Sequence, residues 1–122
     1  MVVDDDRAIR ESFGDYFEDQ GYQARLMESA EAALAYLHEC SCDVAIVDIR
    51  LGDMSGDEFI HRAHARHPQC GFIICTGTPA YRLPDHLLAL QRVSSKVFQK
   101  PVVDLGRLLE EVLRLSGSKV VC

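Results

Sequence analysis

A short apolar run that stops at a carboxylate is the feature that most restricts how this chain can fold. Residues Val44 to Val47 form an unbroken hydrophobic run with two valines and an isoleucine. That run predicts a strand buried on both faces, as in the middle of a parallel sheet. Asp48 follows directly, and the glycines and polar residues after it indicate a loop. A charge at the end of a buried strand is costly unless it is solvated, paired or bound to a cation. Because ligands bind at the carboxyl ends of strands in open α/β sheets, Asp48 is the first candidate for a functional residue.

Short apolar segments alternate with amphipathic segments along the chain. The predicted strands are Val2–Val3, Tyr22–Met27, Val44–Val47, Phe72–Cys75 and Val97–Phe98. A helix is predicted after each strand, from apolar residues that recur at three- and four-residue spacing. Five strands alternating with five helices predict an α/β fold, a doubly wound parallel sheet with helices on both faces and right-handed crossovers. Strand order 2-1-3-4-5 suits this pattern and places the first and third strands side by side.

Several residues of types that favour helix ends support the predicted helix boundaries. Asp6, Ser29 and Asp104 are each placed to cap the start of a helix. Gly21 is expected to end the first helix. Pro84 suits the first position of the fourth helix, which we expect to continue through Leu87, Leu88 and Leu90.

The last helix has the clearest amphipathic pattern. Its predicted inner face consists of Leu105, Leu108, Leu109, Val112 and Leu113. Glu110 and Arg114 are four residues apart on the same helix, which predicts an ion pair between them.

Composition and charge restrict the class of protein. The chain has 122 residues, 48% of them apolar, which suffices for one domain with a core and is too few for two. We expect that domain to span residues 1–117, followed by a short tail over 118–122.

The net charge of −6, with both signs interspersed, disfavours direct nucleic-acid binding. The longest apolar run is too short to cross a bilayer and no secretory leader opens the chain, so we expect no membrane association. Five cysteines without a Cys-x-x-Cys pair fit reduced thiols and a cytoplasmic location.

Charged and polar residues stand at the ends of the predicted strands. Asp4 and Asp5 follow the first strand, Asp48 the third, Thr76 the fourth and Lys100 the last. Because the carboxyl ends of parallel strands share one edge of a sheet, these residues should meet in one pocket. Carboxylates this close favour a divalent cation, and Mg²⁺ fits best because it takes one or two carboxylates and bridges to phosphate. A carboxylate beside such an ion can attack a phosphoryl group, with an ammonium and a hydroxyl contacting the phosphoryl oxygens.

Five short segments occur in the order and close to the spacing that are typical of one protein family: Val2–Asp6, Val47–Leu51, Asp53–Gly56, Thr76–Gly77 and Lys100–Pro101. With these segments the chain resembles the receiver domain of two-component response regulators. The resemblance covers nearly the whole chain. It implies the flavodoxin-like receiver fold, and a place in two-component signal transduction or a phosphorelay.

The resemblance also implies roles for the predicted pocket. Asp48 would accept a phosphoryl group from the phosphohistidine of a sensor histidine kinase, or from a phosphotransfer protein, and become an aspartyl-phosphate. Asp5 and Asp48 would bind Mg²⁺ directly, with the backbone carbonyl of Arg50 as a further ligand and Asp4 nearby. The bond between residues 100 and 101 would be a cis peptide bond, which proline tolerates.

Phosphorylation would then act as a switch. The phosphoryl group adds close to two negative charges. Thr76 and Lys100 would contact its oxygens, and the loop after the fourth strand would move towards it. In the family, this change reshapes the face made by the fourth helix, fifth strand and fifth helix, which carries the signal to an output domain or a downstream protein. The domain would catalyse only its own phosphorylation and dephosphorylation, so it is not expected to be an enzyme. A homodimer through the last two helices is left open.

Several positions depart from the usual pattern of the family. Gly52 replaces a proline, and Val97 replaces a tyrosine or phenylalanine, with Phe98 one place later. The segment Thr76–Lys100 is longer than commonly seen by about two residues. It also has Val93–Ser95 where the family has an Ala-Gly turn before the last strand. These changes fall on the expected output face.

Two other classes of function compete with a phosphorylated receiver: an interaction module, and a cofactor protein or enzyme on the same fold. A degenerate receiver that acts as an interaction module without phosphorylation would account for the altered segment before Lys100. A flavodoxin-like FMN protein would need a phosphate-binding loop after the first strand, where three aspartates stand instead. An aspartate-based phosphatase would need a second acid two residues after its nucleophile, and that residue is Arg50.

Overall fold

Five parallel strands form a single sheet in the computed structural model, which describes residues 1–116. The strands are β1 (Val2–Val3), β2 (Leu26–Met27), β3 (Val44–Val47), β4 (Gly71–Thr76) and β5 (Val93–Gln99). The helices are α1 (Arg7–Asp19), α2 (Ala30–Glu39), α3 (Gly56–Arg66), α4 (Asp85–Leu88) and α5 (Leu105–Ser116). The strand order is β2-β1-β3-β4-β5, so the predicted fold class is confirmed. The predicted tail over 118–122 and the predicted domain end at Gly117 lie outside the described residues.

The two faces of the sheet carry separate hydrophobic cores. Along β3, Val44 and Ile46 pack with residues of α1 and α5, whereas Ala45 and Val47 pack with residues of α2 and α3. This alternation is the two-residue period of a strand. All four residues of β3 are therefore buried, as the apolar run predicts. No helix within residues 1–116 has both the length and the hydropathy that crossing a membrane requires.

The helix caps form as the sequence predicts. The Asp6 carboxylate accepts hydrogen bonds from the first turn of α1, the Ser29 hydroxyl does the same for α2, and Asp104 Oδ1 accepts a hydrogen bond from the backbone N–H of Arg107 at 3.3 Å. Gly21 has a φ of 90°, the left-handed conformation that ends a helix. Ser55 caps α3 in the same way, a cap that is not among the predicted ones.

Two elements are shorter than predicted. β2 begins at Leu26 and not at Tyr22, because the backbone N–H of Tyr22 donates to Phe17 of the preceding helix at 2.9 Å and β1 pairs with only two residues of β2. Helix α4 ends at Leu88, and Pro84 is its N-cap, one position before the first helical residue. Leu90, which we expected in the helix, lies in a turn closed by a hydrogen bond to the Leu87 carbonyl.

β5 is longer than predicted, and a bulge explains the unusual length of the segment before Lys100. Phe72 pairs with Val93, whereas Ile74 pairs with Val97. Between these two pairs, β4 advances by two residues and β5 advances by four. The bulge therefore places two additional residues in β5. Val93–Ser95, which the sequence suggests as a replacement for the turn before the strand, lies within the strand.

The ion pair on α5 differs from the predicted one. Arg114 binds Glu111, with Nε and Oε1 2.9 Å apart, and not Glu110. Glu111 is buried, and the Ser94 hydroxyl of the β5 bulge also donates to it. Glu111 lies three residues after Leu108 and four before Leu115, so it occupies the inward stripe of the helix.

Glu111→Gln should lower the free energy of unfolding at pH 7 by about 1–2 kcal/mol, because Arg114 and Ser94 lose a charged acceptor. The pKa of Glu111 is held at about 2, chiefly by the hydrogen bond from Arg114. Since this value lies below the ordinary one of 4.5, the stabilisation is present above that ordinary value and is lost as the pH falls towards 2. Urea unfolding at pH 7 and pH 3 measures both effects. Glu110→Gln, on the exposed side of the same helix, is the control, and equal losses in the two variants would contradict the account.

Candidate functional site

Three carboxylates meet at the carboxyl edge of the sheet. Asp4 follows β1 and Asp48 follows β3, and these strands pair through Val3 and Val47. One carboxylate oxygen from each of Asp4, Asp5 and Asp48 lies within 4.8 Å of the other two. Asp4 and Asp48 are buried, whereas Asp5 is exposed. Because these are all hard oxygen donors, the cluster fits a hard divalent cation such as Mg²⁺.

Lys100 joins the two buried carboxylates. Its Nζ donates to Asp4 Oδ2 at 2.8 Å and to Asp48 Oδ2 at 3.0 Å. The end of β5 carries Lys100 to this edge, where its backbone N–H donates to the Thr76 carbonyl at 2.9 Å. The peptide bond between Lys100 and Pro101 is cis, as the resemblance implies.

The charges of the site are only partly compensated. Burial raises the pKa of Asp48 above its ordinary value, although the hydrogen bond from Lys100 acts against this. Burial lowers the pKa of Lys100, but the hydrogen bonds to Asp4 and Asp48 outweigh it and leave the pKa raised. One ammonium beside three carboxylates leaves the cluster net negative, which favours a cation there.

The loop after β3 folds back onto Asp48. The Arg50 backbone N–H lies 3.4 Å from Asp48 Oδ1, and Arg50 forms an isolated antiparallel bridge with Ser55. The Gly56 N–H donates to the Ile49 carbonyl at 2.8 Å, so the first residue of α3 lies directly against the end of β3. The role of the Arg50 carbonyl as a metal ligand stays a prediction.

Two further residues of this loop explain its course. Gly52 has a φ of 87°, which proline cannot adopt because its ring fixes φ near about −65°. The departure from the family pattern at this position therefore matches the backbone. The Asp53 carboxylate accepts hydrogen bonds from the N–H groups of Ala30 at 3.3 Å and Glu31 at 2.9 Å. Asp53 thus ties the loop to the start of α2, a role that the local sequence pattern does not predict.

Thr76 lies at the same edge, and its hydroxyl accepts a hydrogen bond from the loop that follows β4. It is buried at the end of β4, and Thr76 Oγ1 accepts a hydrogen bond from the Thr78 N–H at 3.1 Å. Within residues 1–116, the structure joins the carboxylates directly to Lys100 but not to the Thr76 hydroxyl. This hydrogen bond uses the hydroxyl only as an acceptor, so its own hydrogen can still be donated to a group on Asp48.

A tyrosine in the loop after β4 also reaches towards the site. The Tyr81 hydroxyl donates to Asp57 Oδ1, in the first turn of α3, at 2.6 Å. Burial, with Asp57 adding to the effect, raises the pKa of Tyr81. The sequence has no periodic signal in this loop, so only the aromatic side chain among polar and proline residues could have indicated the contact.

Tyr81→Phe should free this loop at little cost to the global fold. Loss of a half-buried hydrogen bond of about 1 kcal/mol should speed amide exchange in residues 77–84 about fivefold. Hydrogen–deuterium exchange followed by mass spectrometry measures this. Tyr36→Phe is the control, because the half-buried Tyr36 hydroxyl makes no hydrogen bond within residues 1–116. Unchanged exchange in the loop of Tyr81→Phe would show that the hydroxyl does not hold it.

The two candidate switch positions on β5 face opposite sides. Val97 packs against the core beneath α2 and α3, whereas Phe98 packs against the core beneath α1 and α5. Tyr81 packs against the same core as Val97. Phe98 therefore does not occupy the place of the usual aromatic residue, and Tyr81 supplies an aromatic ring on the Val97 side.

Comparison with known proteins identifies the family. The sequence matches the family of response regulator receiver domains over residues 1–113. The chain belongs to this family. Members are parts of two-component signalling systems, so the receiver domain described here is a signalling domain of that class.

Solved structures and curated relatives agree with this assignment. A CheY-like receiver domain protein from Methanospirillum hungatei superposes with a TM-score of 0.81 at 30% identity, over 94% of this chain and 90% of that one. The response regulator TrrA of Thermotoga maritima, in complex with Mg²⁺ and BeF, has a TM-score of 0.80 at 26% identity, over 93% and 95% of the two chains. The transcriptional regulatory protein FixJ of Bradyrhizobium diazoefficiens is 28% identical over 115 residues, which are 93% of this chain and 55% of FixJ. The chain covers less than two thirds of the length of these curated relatives, for example 18% of AlgB of Pseudomonas aeruginosa and 55% of FixJ.

Proposed function

We propose that this receiver domain accepts a phosphoryl group on Asp48 from a sensor histidine kinase or a phosphotransfer protein, in a reaction that requires Mg²⁺. The observation that carries the proposal is the convergence of three carboxylates within 4.8 Å with Lys100 hydrogen-bonded to two of them. The complete set argues against a degenerate module that works without phosphorylation.

The chemistry needs little more than these groups. A carboxylate oxygen of Asp48 forms the new O–P bond as the P–N bond to the donor imidazole breaks. The imidazole nitrogen keeps that electron pair and takes up a proton. Lys100, which now donates to Asp48, is placed to donate to a phosphoryl oxygen instead, and phosphoryl transfer depends mainly on such positioning and charge neutralisation.

The residues present suit a magnesium ion. Asp5 and Asp48, with the Arg50 carbonyl, would hold it, and Asp4 lies beside them. When bound, Mg²⁺ would neutralise the carboxylates and the phosphoryl oxygens. The complex of Mg²⁺ and BeF in the similar TrrA structure supports this assignment.

The signal would leave through the face of α4, β5 and α5. Phosphorylation would draw Thr76 and the Tyr81 loop towards Asp48, which biases a two-state element next to that face. An output domain, a downstream protein or a second copy of the chain is the proposed partner there. The domain would act on itself and not as an enzyme on a separate substrate.

Asp5, the exposed residue of the proposed metal site, allows a direct test of Mg²⁺ binding. Asp5→Asn should slow phosphorylation by acetyl phosphate about tenfold or more at limiting Mg²⁺, because the cluster loses one charged ligand. Asp6→Asn makes the same change at the next residue, where asparagine is an equally good cap for α1. The rate is followed by intact mass as Mg²⁺ is titrated. The same Mg²⁺ dependence in both variants would contradict the proposed metal site.

A further inference from the structure

Two cysteines meet at the edge of the sheet opposite to Asp48. Cys42 lies two residues before β3 and Cys70 lies directly before β4. The two strands pair here, with Val44 opposite Gly71 and the Gly71 N–H donating to the Asp43 carbonyl at 2.9 Å. This register places Asp43 opposite Cys70, so Cys42 is offset from Cys70 by one residue. A strand spacing of about 4.8 Å and a rise of about 3.3 Å per residue put the two Cα atoms about 6 Å apart, within the range of about 4.4–6.8 Å that a disulfide spans.

The two thiols share one environment. The Cys42 thiol donates to the Val44 carbonyl at 3.1 Å, and the Cys70 thiol donates to the Gly71 carbonyl at 3.4 Å. These acceptors belong to the paired residues of the two strands. The thiols also interact with one another, and both pack against the core beneath α2 and α3.

The two cysteines differ in access and acidity. Cys42 is half-buried and lines a cavity of about 320 Å³ at this edge, whereas Cys70 is buried. The interaction with Cys70 lowers the pKa of Cys42, against the effect of burial. The same interaction and burial raise the pKa of Cys70. Cys42, the more accessible of the two thiols, is therefore placed to react first with a small disulfide, and the buried Cys70 is placed to resolve the mixed disulfide.

We propose that Cys42 and Cys70 are a redox modification site that forms a reversible disulfide by exchange with small disulfides of the glutathione class. The Cys42 thiolate attacks one sulfur of the small disulfide, forms a mixed disulfide and expels one thiolate. The Cys70 thiol then loses its proton and attacks the Cys42 sulfur, which expels the second thiolate. The two cysteines are oxidised to one disulfide, and the small disulfide is reduced to two thiols.

The bond would tie the loop before β3 to the loop before β4. Both strands lead to the carboxyl edge where Asp48 and Thr76 lie. The site is separate from the acidic cluster and does not depend on phosphorylation. Intracellular disulfides of this kind are typically transient and redox-sensing.

The test is oxidation of the whole chain with glutathione disulfide, followed by tryptic peptide mapping. The expected product has lost two hydrogen atoms in its intact mass, contains residues 26–50 linked to residues 67–82, and returns to the free thiols with dithiothreitol. The link should disappear in Cys42→Ser and in Cys70→Ala. It should persist in Cys40→Ser and in Cys75→Ala, which change the other cysteine of each peptide.

Two results would overturn the proposal. One is a wild-type chain that forms no internal disulfide at the concentrations of glutathione disulfide that oxidise an ordinary dithiol. The other is a link that survives in Cys42→Ser but is lost in Cys40→Ser, because the exposed Cys40 would then be the reacting thiol. Cys42→Ser changes a half-buried residue, so it keeps the test valid even if Cys70→Ala disturbs the core.

Discussion

Gly56→Ala is expected to destabilise the fold by about 3 kcal/mol, at the upper end of the cost of overpacking, and to disable the acidic site with it. A Cβ on Gly56 would lie 2.3 Å from the Asp48 carbonyl oxygen and 2.9 Å from the Ile49 Cα. Both are backbone atoms, so no side chain can turn away to make room. Relief requires the start of α3 to move away from the end of β3, and that movement displaces Asp48.

Urea unfolding measures this effect, and Gly77→Ala is the matched control. A Cβ on Gly77 would have no heavy atom within 4 Å, and Gly77 is exposed at the same edge of the sheet. We expect the control to change the free energy of unfolding by less than about 0.5 kcal/mol. Equal unfolding midpoints for the two variants would contradict the close contact between α3 and β3.

Asp48→Asn is expected to abolish phosphorylation and, in the absence of Mg²⁺, to stabilise the fold by about 1 kcal/mol, or about 4 °C in Tm. Asp48 is buried, and burial raises its pKa above the ordinary value. The folded state therefore binds this proton more tightly than the unfolded state. In wild type, the ionised carboxylate costs stability above its folded pKa, and that cost disappears as the pH falls below it.

Thermal unfolding at pH 7 without Mg²⁺ tests whether Asp48→Asn raises or lowers the Tm. Asp53→Asn is an informative control because it makes the same change in the same loop. The pKa of Asp53 is lowered, chiefly by the hydrogen bond from the Glu31 N–H. Asp53→Asn should therefore reduce stability slightly where Asp48→Asn increases it. A lower Tm for Asp48→Asn would show that the buried charge is already fully compensated.

The parts of the site that lie on β1 and β3 could be predicted from the sequence. The apolar run before Asp48 is local, and its length and composition suffice to indicate a buried parallel strand. Once the strand order follows from alternating strands and helices, Asp4 and Asp5 must lie beside Asp48. The Lys100 contact follows from the same topology, because every strand ends at the same edge.

The contacts that the sequence does not reveal join segments without a regular period. The β5 bulge depends on how Val93 and Val97 align with β4, and propensity carries no information on that alignment. Glu111 can be buried as a charged residue because Ser94 and Arg114 both donate to it. The hydrogen bond from Tyr81 to Asp57 crosses 24 residues of sequence. Such long-range contacts are set by tertiary packing, which overrides local pattern.

Phosphorylation of Asp48 is tested most directly by the intact mass of the chain after incubation with acetyl phosphate and Mg²⁺. We expect a single phosphoryl adduct that is stable in acid and labile in base, as an acyl phosphate is. The adduct should be absent without Mg²⁺ and absent in Asp48→Asn. An adduct that forms equally in Asp48→Asn, or a folded wild-type chain that takes up no phosphoryl group from small donors or from histidine kinases, would contradict the claim that Asp48 is the phosphoacceptor.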